Sequence, residues 1–200
     1  MKLLIGTRNK GKAHEIATIF SDLNLTFLTL NDFPNVEEVE ESGHTYHNNA
    51  ILKAEGYARQ CGALTLADDS GLEVNALHGA PGVRSARYAG EGASDRDRID
   101  YLLAELAKVP TGDRRAQFVS VVALAQPEDG LLRTQSGICE GSIIDSPRGT
   151  IGFGYDPIFV PTGFDATFGE LPSSIKDKIS HRGKALTAIR PFLDIILSAS

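Results

Sequence analysis

The chain has no surplus of positive charge. Its 20 Lys and Arg are outnumbered by 26 Asp and Glu, for a net charge of −6. Binding along a phosphate backbone wants a basic face, so a broad nucleic-acid surface is excluded and no nucleic-acid partner is expected. A small basic pocket within an acidic protein stays open. Cysteine is scarce: Cys61 and Cys139 stand far apart and lack metal-site spacing. They read as reduced, inert thiols, which suits a cytoplasmic protein. There is no apolar segment of signal-peptide type and no apolar run long enough to cross a bilayer, so neither secretion nor membrane association is expected. Low-complexity tracts and repeats are also missing. What remains is 42% hydrophobic and 23% charged, the composition of an ordinary soluble globular protein. Residues 1–200 fit one domain, or one domain with a lobe.

The pattern along the chain is that of an α/β protein. Residues 2–6 read as a strand, and a helix follows from about Gly11, with Ile16, Ile19, Phe20 and Leu23 at near-helical spacing. Residues 25–30 offer a second strand. Thr45 suits the cap of a helix running to about Gln60. An apolar run at 64–67 predicts a buried strand that ends at Asp68 and Asp69, with Gly71–Leu77 as another strand or a hairpin. Residues 78–94 are expected to be loop. Ser94 caps a predicted amphipathic helix from Asp95 to Leu106. Residues 115–125 and 131–144 read as strands across a turn at 126–130, giving a hairpin lobe at roughly 115–150. A last helix spans about Arg182 to Leu197, and Pro191 within it is expected to kink or divide it. Strand–helix units beside a hairpin imply a mixed sheet.

Several segments carry chemistry. In LTLADDSG (64–71), adjacent carboxylates at the end of a strand suit a hard cation such as Mg²⁺, which takes one or two protein carboxylates plus substrate phosphates. The same residues also fit a plain Asp-Ser-Gly turn. In GTRNKGKA (6–13), a strand–loop–helix junction nearly matches the phosphate-loop pattern G-x-x-x-x-G-K-[ST]. Gly6 and Gly11 would permit tight turns, helix-start amides would face an anion, Lys10 and Lys12 would add charge, and Asn9 could donate hydrogen bonds. Ala13 stands where the Mg²⁺-binding hydroxyl normally sits. Any metal must then be carried elsewhere, by Asp68 and Asp69 or by the Glu37–Glu41 cluster.

In GFGYDP (152–157), Phe153 or Tyr155 can stack on a base and Asp156 can accept from a base or sugar; the alternative is a hairpin turn with core aromatics. In KDKISHRGK (176–184), Lys176, His181 and Arg182 can present donors to phosphate or to a purine carbonyl, although a solvated basic helix start is equally open. Arg182 in a first turn opposes the helix dipole. Lys53 is either a phosphate contact or an exposed helix lysine. Arg84, Ser85 and Arg87 fit a lid, an anion site or a structural loop.

Together these segments closely resemble one family, the noncanonical purine nucleoside triphosphate pyrophosphatases, also called inosine/xanthosine triphosphate pyrophosphatases. The matching stretches are TRNKGK (7–12), EESG with NNAILKA (40–54), LADDSGLEV (66–74), GAPGVRSARYAG (79–90), FGYDPIF (153–159) and SHRGKAL (180–186), in family order and spacing over nearly the whole chain. The resemblance implies a cytoplasmic homodimer with an elongated mixed sheet and flanking helices forming two lobes around a central cleft. It implies Mg²⁺-dependent hydrolysis of ITP, dITP and XTP to monophosphate and pyrophosphate, removing deaminated purines from the nucleotide pool.

Carried over by position, Thr7, Arg8, Asn9, Lys10, Gly11 and Lys12 would bind the triphosphate. Glu40 and Asp69 would bind metal, with Asp69 also the general base. Ser70, Phe153, Gly154, Tyr155, Asp156, Lys176, His181 and Arg182 would contact the nucleotide. The family usually has Glu then Asn before the Ala of its helix motif; here Asn48 precedes Asn49, so Glu41 is an alternative metal ligand. Arg8 makes the phosphate loop more cationic. In-line attack of water on the α-phosphorus needs the leaving pyrophosphate neutralised, which suits Lys10, Lys12 and Lys53. Whether Asp69 is the base, or Asp68 or Asp69 only orients a metal-activated water, stays open.

Overall fold

The computed structural model describes residues 1–110 and 112–198. Six strands form one sheet in the order β2-β1-β3-β4-β5-β6. They are β1 (Lys2–Ile5), β2 (Thr26–Thr29), β3 (Thr65–Val74), β4 (Arg115–Gln126), β5 (Gly130–Ile143) and β6 (Phe159–Pro161). The sheet is mixed. β1 pairs in parallel with β2 and β3, whereas β5 and β6 are antiparallel. The helices are α1 (Lys10–Ile19), α2 (Tyr46–Cys61), α3 (Asp95–Ala107), α4 (Ser173–Ile179) and α5 (His181–Ser198). Among the described residues no helix is long and apolar enough to cross a membrane.

The chain divides into two compact units. The first comprises 1–69, 120–137 and 182–200, and the second 70–119 and 138–181. β3, β4 and β5 each pass from one unit into the other.

Strand alternation builds the first unit. Successive side chains of a strand point to opposite faces. Leu3 and Ile5 of β1 therefore pack with Ile16 of α1, with Phe20 at its C-cap and with Leu186, Ile189 and Leu193 of α5. Leu4, between them, faces the other way and joins Leu30 and Tyr57 of α2. Helices thus cover both faces of the parallel strands. The second unit has its own core, in which Ile99, Leu102 and Leu106 of α3 meet Phe118, Phe159, Phe168 and Tyr155. The spacing of these α3 residues is the amphipathic stripe read from the sequence.

Thr45 and Ser94 cap α2 and α3 as expected, each hydroxyl accepting from the amide three residues on. Three expectations are corrected. β3 does not stop at Asp68–Asp69 but runs unbroken to Val74, because Leu72 and Val74 keep the alternation and are fully buried. The stretch expected to be loop holds a 3-10 helix at Gly82–Arg87. Pro191 does not divide α5. It lies on the exposed side, as does Thr187, whose carbonyl loses its helical donor, so water can take the orphaned acceptor.

Candidate active site

Because β3 continues through them, Asp68 and Asp69 point to opposite faces of the sheet and differ in surroundings. Asp68 lies on the face of α1 and α5. Its carboxylate is fully buried and pairs with Lys12 at 2.6 Å and with Arg182 at 3.4 Å, and it accepts from the Ser120 hydroxyl at 2.6 Å. Arg182 also pairs with Glu15 of α1. Burial alone would raise the Asp68 pKa, but Arg182 and Lys12 outweigh it and hold the carboxyl well below the usual range. Burial pushes the Lys12 ammonium down even with Asp68 beside it.

Asp69 lies on the face of α2. One oxygen accepts from Lys53 Nζ at 2.9 Å and the other from Asn49 Nδ2 at 3.2 Å. The same Nζ donates to Glu41 at 2.9 Å. Burial raises the Asp69 pKa despite the lysine. Lys53 suffers the same burial, but Asp69 and Glu41 outweigh it and raise its pKa, so the ammonium stays charged between the two carboxylates. Asn49 was read in the sequence only as part of the helix motif, with no role of its own, and Glu15 and Ser120 were not singled out. The first sits in the NNAILKA stretch; the other two carry no local signal, since their partners lie far along the chain.

The phosphate-loop candidates gather at the start of α1. Asn9 is its N-cap: its side-chain oxygen accepts from Lys12 N at 3.0 Å, which leaves the amide Nδ2 as a donor. Thr7 Oγ1 accepts from Asn9 N at 3.2 Å. Arg8 Nη2 donates to the Val36 carbonyl at 3.2 Å, while Lys10 is exposed. Gly6 serves packing rather than a turn, since a Cβ there would come within 3.1 Å of both Thr65 and Tyr57. Gly11 lies inside α1.

A second cluster lies in the other unit. Lys176 of α4 and Asp156 are both buried and pair at 2.5 Å. The lysine also sits 4.8 Å above the Phe153 ring and 5.6 Å from that of Phe168. Asp156 accepts from Phe153 N at 2.9 Å, and Tyr155 donates its hydroxyl to the Ser85 carbonyl at 3.0 Å. His181 stacks on Phe118 with centroids 4.7 Å apart. Lys176, His181 and Arg182 are thus buried, not the solvated helix start that the basic run also allowed. Ser70 is half-buried in β3. Ser85 is buried and tied to the backbone of Leu72 and Gly82, so it is structural, and Arg84 and Arg87 flank it in solvent.

The metal expectation meets a plain test. Among the described residues no three His, Cys, Asp or Glu converge on one point. Glu40 is exposed and Glu41 reaches inward. Two carboxylates on one ammonium are nevertheless a hard-oxygen pair, and Mg²⁺ with a phosphate substrate asks for no more than that.

Residues 3–192 match the model of the Ham1 family. The chain belongs to the Ham1 family. Among its relatives, a dITP/XTP pyrophosphatase of Geobacter sulfurreducens is 50% identical over 192 residues, covering 96% of each chain. One of Bacillus cereus is 47% identical over 186 residues, covering 92% of this chain and 91% of the relative. A solved Ham1 protein of Coxiella burnetii superposes with a TM-score of 0.86 at 40% identity, covering 100% of both chains. The dITP/XTP pyrophosphatase structure from Mycobacterium abscessus gives 0.75 at 42% identity, over 96% of this chain and 100% of that one. The mixed α/β sheet is therefore a Ham1 fold.

Proposed function

We propose that this Ham1 protein hydrolyses noncanonical purine nucleoside triphosphates, ITP, dITP and XTP, to the monophosphate and pyrophosphate. The observation that carries this is the arrangement of buried Asp69, Lys53 and Asn49 with half-buried Glu41, in the unit that also holds the Lys-rich start of α1. The named activity of relatives near 50% identity supports the choice of substrate.

Residues 7–12, with Lys12 and Lys53, take the triphosphate. Lys12 comes with its Asp68 partner and Lys53 with Asp69, so neither cation's position depends on the ligand. Asp69, with its pKa raised by burial, suits a base that receives the proton of the attacking water and orients it in line with the α-phosphorus. Asn49 fixes the second Asp69 oxygen and so its orientation. Asp69 with Glu41 or Glu40 would hold Mg²⁺ together with the substrate phosphates, and the ion would supply neutralising charge to the triphosphate. Ser70, Phe153, Gly154, Tyr155, Asp156, Lys176, His181 and Arg182 meet the rest of the nucleotide. A buried donor rewards the C6 carbonyl of hypoxanthine or xanthine and is left unpaired against the amino group of adenine, a discrimination that can reach about 10⁴-fold. In the cell, a cytoplasmic homodimer would keep deaminated purines out of nucleic acid.

The test is a product assay with Mg²⁺ on ITP, dITP, XTP, ATP and GTP that scores pyrophosphate and orthophosphate separately. The expected result is pyrophosphate from the first three, with ATP and GTP slower by orders of magnitude. Orthophosphate from ATP would overturn the reading.

A further inference from the structure

Two consecutive backbone amides of the 152–156 loop are held by carboxylates from different places. Phe153 N donates to Asp156, within the loop. Gly154 N donates at 2.7 Å to Oδ2 of Asp95, a residue 59 positions earlier and the first of α3. The other Asp95 oxygen accepts from Arg98 Nη2, and Arg98 Nη1 donates to the Ala86 carbonyl at 2.6 Å. One residue before Ala86, the Ser85 carbonyl receives the Tyr155 hydroxyl. The loop is therefore tied twice to the 82–87 helix: directly through Tyr155, and through the chain Gly154–Asp95–Arg98–Ala86. All of these residues belong to one compact unit.

An acidic residue in a first helical turn ordinarily serves the helix dipole. Here the helix start has its own fixture. Ser94 and Asp97 form a reciprocal capping box, with Ser94 N donating to Asp97 at 2.9 Å and Asp97 N to Ser94 Oγ at 3.2 Å. The Asp95 carboxylate is directed instead at the loop amide. Gly154 has φ +61 and Gly152 φ +81, and glycine, which lacks a Cβ, adopts such angles freely but does not hold the chain in them. Restraint has to come from outside, and a charge-assisted bond to a backbone amide supplies it.

We propose that Asp95, oriented by Arg98, is a positioning residue for base selection: it fixes the Phe153–Gly154 peptide and with it the Phe153 ring. The proposal rests on the reading that this loop meets the base. Selectivity depends on where the ring and donors stand, so loosening the loop lowers discrimination more than it lowers turnover.

The test compares the parent with Asp95→Ala, Asp95→Asn and Asp97→Ala. Asp97→Ala breaks the capping box without touching the loop, and so reports what a weakened α3 does by itself. Two quantities are read: the ratio of kcat/KM for dITP over dATP, and the hydrogen-exchange rate of the Gly154 amide. Asp95→Ala is expected to lower the ratio by about tenfold, through KM for dITP more than kcat, and to speed exchange at Gly154. Asp95→Asn, which keeps an acceptor, recovers part of both, and Asp97→Ala moves neither at a comparable loss of Tm. An unchanged ratio in Asp95→Ala, or an equal drop in Asp97→Ala, would overturn the proposal. Failure of the functional reading shows separately, as a parent that releases no pyrophosphate from dITP. In that event unaltered Gly154 exchange in Asp95→Ala would still refute the positioning role.

Discussion

Asp68 and Asp69 are neighbours in sequence with different work. The first is saturated by two cations and a hydroxyl on the side of α1 and α5, and the second shares one lysine with Glu41 on the side of α2. Removing one partner of a buried ion pair leaves charge uncompensated, at a cost of about 3 kcal/mol or more. Asp68→Asn is therefore expected to lower stability by about that amount, seen as a reduced urea midpoint, because Lys12 loses its carboxylate. Asp69→Asn keeps a similar shape and leaves Lys53 with Glu41. It is expected to lower kcat by about 10²–10⁴-fold while nucleotide binding, read by calorimetry, persists. A greater loss of stability than of turnover in Asp69→Asn would reverse the two assignments. The sequence shows both aspartates but not this division, which depends on the strand continuing past them.

At the scale of elements, local signals were legible where they are local. The caps Thr45 and Ser94, the apolar stripe of α3 and the hairpin strands all follow from spacing within a few residues. α4 was missed: at Ser173–Ile179 it is short, and its N-cap is Pro172, which offers no side-chain cap. The persistence of β3 was missed because Ser70 and Gly71 read as a turn, and only burial on both faces makes them strand. α5 tolerates Pro191 for a reason equally invisible in the pattern, since the missing hydrogen bond falls on the solvent side. Pro191→Ala restores an amide donor there and is expected to raise stability by roughly 1–2 kcal/mol, the interior cost of proline less the unfolded-state entropy it removes. Thermal unfolding measures this; an unchanged or lower Tm would mean that the proline is needed where it is.

At the scale of the molecule, each unit has a core of its own, yet three strands are common to both. Shared strands tie the fate of one core to the other, which predicts a single unfolding transition. Leu102→Ala in the second unit and Leu186→Ala in the first, both at fully buried positions, are each expected to cost about 2–5 kcal/mol. Both are expected to move the same transition by fluorescence and by circular dichroism; two separable transitions in either variant would show that the units melt independently. The site residues were legible here only as a set of motifs. Their partition between the units, with Asp69 in one and Ser70 in the next, follows from a chain path that returns to each unit more than once.

That path gives β3 a further property. The peptide bond between Asp69 and Ser70 lies inside a strand with assigned sides before and after it: Leu66 and Asp68 toward α1 and α5, Asp69 toward α2, Leu72 and Val74 into the second core. Side chains alternate with a period of two, so a shift of one residue exchanges the faces of everything downstream. A single-codon insertion or deletion here would turn Leu72 and Val74 out of their core while leaving both aspartates in place. A one-residue insertion between Asp69 and Ser70 is therefore expected to cost the second core as a whole, far more than the same insertion in the turn between β4 and β5.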